Sequence, residues 1–122
     1  MNRVAVDVIL RAEQAAICGG GIVLWIANGG WPLLLIPAWL LVDLSMIGYL
    51  GGARLGSITY NAAHNLVLPI ALLGLGWWTD TRWLVLAAAV LITHIGLDRA
   101  LGYGLKLPTD FRDTHLGRIG RS

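Results

Sequence analysis

Histidine and carboxylate side chains that could bind a metal or transfer protons interrupt the apolar stretches of this sequence. His94 and Asp98 are four residues apart, so they would project from one face of a helix. Imidazole and carboxylate groups together bind zinc, iron or manganese, and they are also common acid–base groups. We therefore interpret His64, His94 and Asp98 as candidate metal ligands. Asp43 and Glu13, in two other apolar stretches, are candidate further ligands or catalytic bases.

Long apolar segments carry these residues, and they indicate a membrane protein. Of the 122 residues, 57% are hydrophobic and 13% are charged, with a mean hydropathy of +0.69, whereas soluble domains average about 25% charged residues. Because a bilayer crossing takes roughly 20 apolar residues, four crossings use nearly the whole chain and leave no room for a soluble domain. We predict an all-α membrane protein with a single transmembrane domain over residues 1–122, a four-transmembrane-helix bundle of up-down-up-down topology. The helices are predicted at about residues 8–28, 32–50, 57–76 and 83–101, with a polar tail at 102–122.

The positive charges predict which way the bundle faces. Of the nine Lys and Arg residues, only Arg82 would lie on the side of the first and third loops, while Arg121 and the others would share the side of the termini. The positive-inside rule therefore predicts that both termini are cytoplasmic in a multi-pass membrane protein. Asp7, Arg11 and Glu13 precede the first apolar run, which argues against a cleavable signal peptide.

Composition also limits the partners. The charges are scattered singly and form no basic stripe, so nucleic acid is not expected as a partner. The single cysteine, Cys18, excludes a disulfide within one chain and a cysteine metal cluster. The lipid bilayer is the expected surrounding, and other membrane subunits or a second copy in a homo-oligomer are the remaining candidate partners.

The candidate ligands and bases are predicted to lie at one depth. Glu13 is about five residues, and Asp43, His64 and His94 are about seven residues, from the cytoplasmic ends of their helices, which is roughly 7 to 11 Å at 1.5 Å per residue. Since an ionisable group costs roughly 2.5 to 3.5 kcal/mol at a helix centre, we expect these side chains to face inward around a polar pocket beneath the cytoplasmic surface. The residues expected to bind a substrate beside it are Tyr60, Asn61, Asn65, Arg99, Tyr103 and His115.

These polar residues allow several interpretations. A hydrogen-bonded network could fasten the helices together, since lipid provides no hydrophobic drive between them. A divalent metal (zinc, iron or manganese) could instead be bound as a cofactor, whereas a haem held by His64 and His94 suits the depth but not the small size of the bundle. The tail either folds back over the pocket as a lid at residues 114–117 or lies among lipid head groups. The corresponding functions are a membrane-embedded metal-dependent enzyme acting on a lipid or amphiphile, a non-enzymatic accessory subunit of a membrane complex, and a small proton-coupled transporter.

Four stretches of the sequence carry a family resemblance, at residues 43–49, 60–65, 94–106 and 111–117. Their combination resembles an uncharacterised family of small bacterial integral membrane proteins, the domain-of-unknown-function family numbered 4260. The resemblance extends over residues 13–117, and Leu107 departs from it where an aromatic residue is expected before Pro108. The resemblance implies a compact multi-pass protein of the bacterial inner membrane, and it supplies no activity, substrate or cofactor.

Overall fold

Helices make up most of the chain in the computed structural model, which describes residues 2–119. Arg121, counted above among the cytoplasmic charges, and the end of the predicted tail lie outside these residues. The α-helices are α1 (Arg3–Ala27), α2 (Leu35–Asp43), α3 (Ala53–Ala63), α4 (Val67–Trp78) and α5 (Arg82–Leu101). Two 3-10 segments flank α2, at Pro32–Leu34 and Leu44–Gly51, and two short strands follow α5, β1 (Asp113–Thr114) and β2 (Gly117–Arg118).

Four helical segments are long and apolar enough to cross a membrane. They are Arg3–Ala27, Pro32–Gly51, Ala53–Trp78 and Arg82–Leu101. Many large apolar side chains on these segments are exposed, among them Leu40, Leu41 and Ile47, and such a surface is suited to lipid and not to water. The predicted fold class, an all-α protein with four membrane-spanning helices, is therefore confirmed.

The first helix begins at Arg3, earlier than the predicted start near residue 8. Asn2 caps it, because the Asn2 side-chain oxygen accepts a hydrogen bond from the backbone N–H of Ala5 at 2.8 Å. One turn further on, Asp7 and Arg11 form an exposed ion pair at 3.1 Å. Polar capping thus extends α1 beyond its apolar part.

The third membrane segment is interrupted, where the sequence analysis predicted one helix over about 57–76. Residues 64–66 separate α3 from α4, and Pro69 in the first turn of α4 supplies the reason. Proline has no N–H, and its ring collides with the carbonyl four residues earlier if the helix continues. Asn65 stabilises the break, since its side-chain nitrogen donates to the carbonyl of Asn61 at 2.9 Å.

The second segment tightens from α2 into the 3-10 segment at Leu44 and packs closely on α3. A Cβ added at Gly56 would come within 2.2 Å of the Tyr49 ring, and one at Gly48 within 2.1 Å of the Thr59 hydroxyl. Only glycine permits this approach. Asp43, the last residue of α2, is thereby held beside the end of α3.

The most buried helix is α5, which packs against α1 and α4. In the first half of α5, Ala89 joins Trp25 and Leu35 in an apolar core on the side of the first and third loops. Toward its other end, buried Thr93 and His94 begin a polar region. The bundle is therefore apolar in the half near these loops and polar in the half near the tail.

Candidate metal centre and its cleft

Two histidines and two aspartates from three parts of the fold meet in the polar half of the bundle. Asp43 ends α2, His64 follows the last residue of α3, and His94 and Asp98 lie one turn apart on α5. One possible ligand atom from each of the four lies within 4.8 Å of all the others. The two imidazoles are buried, whereas the side chains of Asp43 and Asp98 are 33% and 19% exposed. The fold thus brings together the three candidate ligands and the candidate base Asp43; we call these four residues the His–Asp cluster.

The distances within the His–Asp cluster suit a single small cation. The His94 Nε2 atom is 2.9 Å from Asp43 Oδ1 and 3.3 Å from Asp98 Oδ2. The His64 Nε2 atom is 3.3 Å and 3.7 Å from the same two oxygens. Ligand atoms about 2.1 Å from a tetrahedral zinc are roughly 3.4 Å from one another. These four separations already bracket that value.

The orientation of the His64 ring is fixed from its other nitrogen. His64 Nδ1 is 2.9 Å from the backbone carbonyl oxygen of Tyr60, and because a carbonyl only accepts, Nδ1 must carry a proton and donate. The Tyr60 ring stacks on the imidazole, with centroids 3.7 Å apart and an angle of 7°. Nε2 is therefore directed at the two carboxylates, as in metal-binding histidines supported by a backbone carbonyl.

Glu13 does not join the His–Asp cluster. Its side chain is exposed on α1, whereas a Cβ added at Gly96 of α5 would lie 2.9 Å from the backbone carbonyl oxygen of the next residue, Gln14. Successive residues of a helix point about 100° apart, so Glu13 and Gln14 do not both point toward α5. The sequence predicts how deep Glu13 lies along its helix, but it does not predict which face of α1 carries the side chain.

A cleft of about 310 Å³ opens beside the His–Asp cluster. Asp43 and Asp98 line it, so both carboxylates of the cluster are within reach of a molecule in the cleft. Tyr60 and Tyr103, two of the predicted substrate contacts, line it as well. The full lining is Asp43, Met46, Tyr60, Asp98, Tyr103, Lys106, Phe111 and Ile119.

Lys106 also lines the cleft, although the sequence analysis did not include it among the candidate site residues. It is only 4% exposed, and burial lowers the pKa of its ammonium, against which the Asp98 carboxylate acts. Asn61 holds the Lys106 backbone from both sides, donating to its carbonyl at 2.8 Å and accepting from its N–H at 2.6 Å. Because Lys106 follows the last helix in a polar stretch, no helical period marks it in the sequence.

Four other predicted substrate contacts have different surroundings. Asn61 and Asn65 bond to backbone groups, as described above, and Arg99 Nη2 donates to the carbonyl of His64 at 3.0 Å. His115 lies in a second cavity of about 210 Å³, which Arg11 and Arg99 also line. The His115 Nδ1 atom accepts from the N–H of Leu105 at 2.8 Å. These residues shape the bundle and the second cavity, and none of them lines the cleft.

The tail folds back on the bundle. The Lys106 and Thr114 backbones pair in an antiparallel bridge, and β1 pairs with β2. Phe111 and Ile119 reach the cleft, while His115 and Leu116 line the second cavity. The part of the tail that borders the cleft is therefore different from the predicted lid at residues 114–117.

Comparison with known proteins gives one family. The model of a family described as "Domain of unknown function (DUF4260)" matches residues 7–119. Neither a curated protein nor a solved structure matches the chain.

Proposed function

The chain belongs to the DUF4260 family, whose description assigns no activity, and we propose that it is a membrane-embedded, metal-dependent enzyme acting on a lipid or another amphiphile. The observation that carries this proposal is the meeting of two imidazoles and two carboxylates within 4.8 Å beside an open cleft. A site that combines ligands with access for a second molecule is suited to catalysis, whereas purely structural metal sites are closed.

Charge balance favours a metal over a purely structural network. Without a bound metal, Asp43 and Asp98 carry two negative charges in a low-dielectric region, and Lys106 of the same cleft offsets only one of them unless an imidazole is protonated. Uncompensated charges of this kind are costly inside a membrane protein. A divalent ion neutralises both carboxylates and leaves the imidazoles neutral, which is the form that binds metals.

Each residue of the His–Asp cluster has a role in this proposal. His64, His94 and Asp98 are the ligands, and Asp43, the more exposed carboxylate, is either a fourth ligand or the base that takes a proton from the attacking group. A bound zinc, iron or manganese ion would act as a Lewis acid and activate water near neutral pH. Tyr60 holds the His64 ring in place through stacking and through its backbone carbonyl. Tyr103, at the rim, is positioned to contact the substrate.

We place the cleft at the cytoplasmic face of the bacterial inner membrane. The cleft lies at the same end of the bundle as the tail and the second loop, where seven of the eight Lys and Arg residues within 2–119 are found. An amphiphile could reach this end from the head-group region while its apolar part stays among the exposed Leu and Ile side chains.

The decisive experiment measures metal in the detergent-purified protein by plasma mass spectrometry. We expect close to one zinc, iron or manganese ion per chain, with the metal lost in His64→Ala and in His94→Ala. His115→Ala is the matched control, because it removes the remaining histidine, outside the His–Asp cluster, and should keep the metal. A folded wild-type protein that binds none of these metals, even when they are supplied, would overturn the proposal.

A proton-coupled transporter is the second candidate, since the His94 and Asp43 side chains lie at hydrogen-bond distance. A relay needs polar groups through the full thickness of the membrane. The other half of the bundle contains the apolar core of Trp25, Leu35 and Ala89, which offers no such path. This favours the enzyme, and pH-driven flux in liposomes that is lost in Asp98→Asn would reverse the preference.

A further inference from the structure

Lys106 is a buried residue whose ammonium has no hydrogen-bond acceptor and no ion-pair partner within residues 2–119. Its contacts are with two aromatic rings, 3.9 Å from the Phe111 centroid and 4.8 Å from the Tyr60 centroid. Ring faces attract a cation, but they leave its three N–H donors without acceptors. The ammonium is not sealed from the cleft, so water or a ligand in the cleft can supply the acceptors that the described residues do not.

The cleft is the place from which such an acceptor would come. Lys106 lines it together with Asp43 and Asp98. The Tyr60 ring contacts both the Lys106 ammonium and the His64 imidazole, so one side chain connects the cation with the His–Asp cluster. A ligand held by Lys106 would therefore lie close to the candidate metal ligands.

Lys106 is also held in position before any ligand arrives. The two hydrogen bonds to Asn61 fix its backbone against α3, and the bridge to Thr114 fixes it against the tail. A lysine on a free tail would lose much conformational entropy on binding, whereas a clamped one loses little. The backbone of Lys106 is thus fixed, unlike that of a lysine on a free tail.

We propose that the cleft binds the phosphate of an anionic lipid head group through Lys106, so that the substrate of the proposed enzyme is an anionic phospholipid or a related phosphate-bearing amphiphile. This inference rests on the proposed function for its charge balance: a divalent ion cancels the charges of Asp43 and Asp98, and Lys106 then makes the cleft positive. Ammonium groups are common phosphate ligands, and the tail end of the bundle lies in the head-group region of the proposed topology.

The test measures lipid binding separately from metal binding. Native mass spectrometry of the metal-loaded protein in uncharged detergent would count bound phosphatidylglycerol or phosphatidylcholine, and inorganic phosphate would be titrated in a parallel arm. We expect phosphatidylglycerol to bind more tightly than phosphatidylcholine. Lys106→Met and Lys106→Gln should weaken phosphatidylglycerol binding by about 10-fold to 100-fold, the size expected for loss of a charged hydrogen bond.

The matched control is Arg54→Met, which removes one positive charge from an exposed position on the same end of the bundle. We expect it to change phosphatidylglycerol binding by about twofold or less, as for an exposed charge. Lys106→Arg, which keeps the charge, should retain a preference for phosphatidylglycerol. Circular dichroism and metal content would be measured on every variant, and the comparison uses those that match the wild type.

The outcomes separate the inference from the proposed function. If the protein binds metal, two results would overturn the inference alone. One is a wild type that shows no preference for phosphatidylglycerol, and the other is an equal loss of phosphatidylglycerol binding in Lys106→Met and Arg54→Met. A Lys106-dependent preference in a protein that binds no metal supports the lipid site and overturns the proposed function. Binding of inorganic phosphate without binding of lipid overturns the lipid as the source of the phosphate.

Discussion

Among single side chains, Arg99 supports the His–Asp cluster without belonging to it. Its guanidinium donates to the carbonyl of His64 at 3.0 Å, and so fixes the backbone that carries a candidate ligand. Groups that orient a ligand change metal affinity by about 10-fold to 100-fold when they are removed. We therefore expect Arg99→Met to weaken zinc binding about tenfold in a competition titration with a chelator.

Arg11→Met is the control for this prediction. Arg11 lines the same second cavity as Arg99, but its ion pair is with Asp7 on the exposed face of α1. Its removal should leave zinc affinity within about twofold of the wild type. Equal losses in the two variants would show that overall charge, and not support of His64, determines the affinity.

His115 should make the packing of the tail depend on pH. Burial and the positive charge of Arg99 lower the pKa of His115 below its ordinary value of 6.5, so the folded tail favours neutral imidazole. Neutral His115 therefore stabilises the folded tail fully above pH 6.5. This stabilisation is lost as the pH falls from 6.5 toward the lower pKa that His115 has in the folded tail, because His115 in the unfolded tail takes up a proton first. We expect protection of the Leu105 amide from hydrogen exchange, corrected for intrinsic rates, to decrease over this interval.

His115→Gln tests this assignment, because glutamine can accept from the Leu105 N–H but does not titrate in this range. In His115→Gln, the protection of the Leu105 amide from hydrogen exchange should no longer change with pH. A wild-type tail whose protection is constant from pH 7 down to about pH 5 would contradict the prediction.

The sequence predicted the members of the His–Asp cluster better than it predicted their surroundings. Depth and four-residue spacing placed His94 and Asp98 on one face, and an up-down path placed Asp43 and His64 at the same level. Neither criterion shows whether a side chain points toward the bundle interior or toward lipid, which is why Glu13 was predicted to belong to the site. Lys106 was missed because its position is set by long-range hydrogen bonds to Asn61, which leave no local pattern.

At the scale of elements, the contact between α1 and α5 depends on Gly96. A Cβ at this position would lie 2.8 Å from the Cys18 backbone nitrogen and 2.9 Å from the Gln14 carbonyl oxygen. Since backbone atoms cannot give way cheaply, Gly96→Ala should push the helices apart and destabilise the fold by about 1 to 3 kcal/mol. The measurement is unfolding by sodium dodecyl sulfate in mixed micelles, followed by circular dichroism.

Gly20→Ala is the matched substitution on α1. Nothing lies within 4 Å of a Cβ at Gly20, so the methyl group costs no contact, and alanine is favoured over glycine in a helix by up to about 1 kcal/mol. We expect its unfolding midpoint to be unchanged or higher than that of the wild type. A similar destabilisation in both variants would mean that close packing at Gly96 is not the cause.

Sequence patterns predicted the membrane segments but not their interruptions. The apolar length of each segment is a property of composition, whereas the break at residues 64–66 depends on Pro69, which removes a helical hydrogen bond without shortening the apolar segment. The 3-10 segment Leu44–Gly51 depends on close contacts with α3. The helix propensities of its own residues do not reflect these contacts. The short β1–β2 hairpin likewise depends on pairing with Lys106 and on side-chain contacts within the tail.

On the scale of the whole molecule, charge and polarity are distributed unequally along the bundle. The cleft, the second cavity and the tail lie at one end, while Trp77, Trp78 and Trp83 are exposed at the other. Exposed tryptophans are typical of a membrane interface, and the excess of positive charge at the opposite end is the feature that predicts orientation. We therefore predict that the loop between α4 and α5 faces away from the cytoplasm and that the tail faces the cytoplasm.

Two exposed threonines provide a test of this orientation, one in each region. Thr79 lies in the loop between α4 and α5 and Thr109 lies in the tail, and Cys18→Ala removes the single native thiol. In spheroplasts, a membrane-impermeant maleimide should label Thr79→Cys directly, but Thr109→Cys only after permeabilisation. The reverse pattern would place the cleft on the outer face and overturn its proposed access from the cytoplasmic leaflet. Labelling of both positions in intact spheroplasts would show mixed insertion, which the excess of positive charge at the tail end argues against.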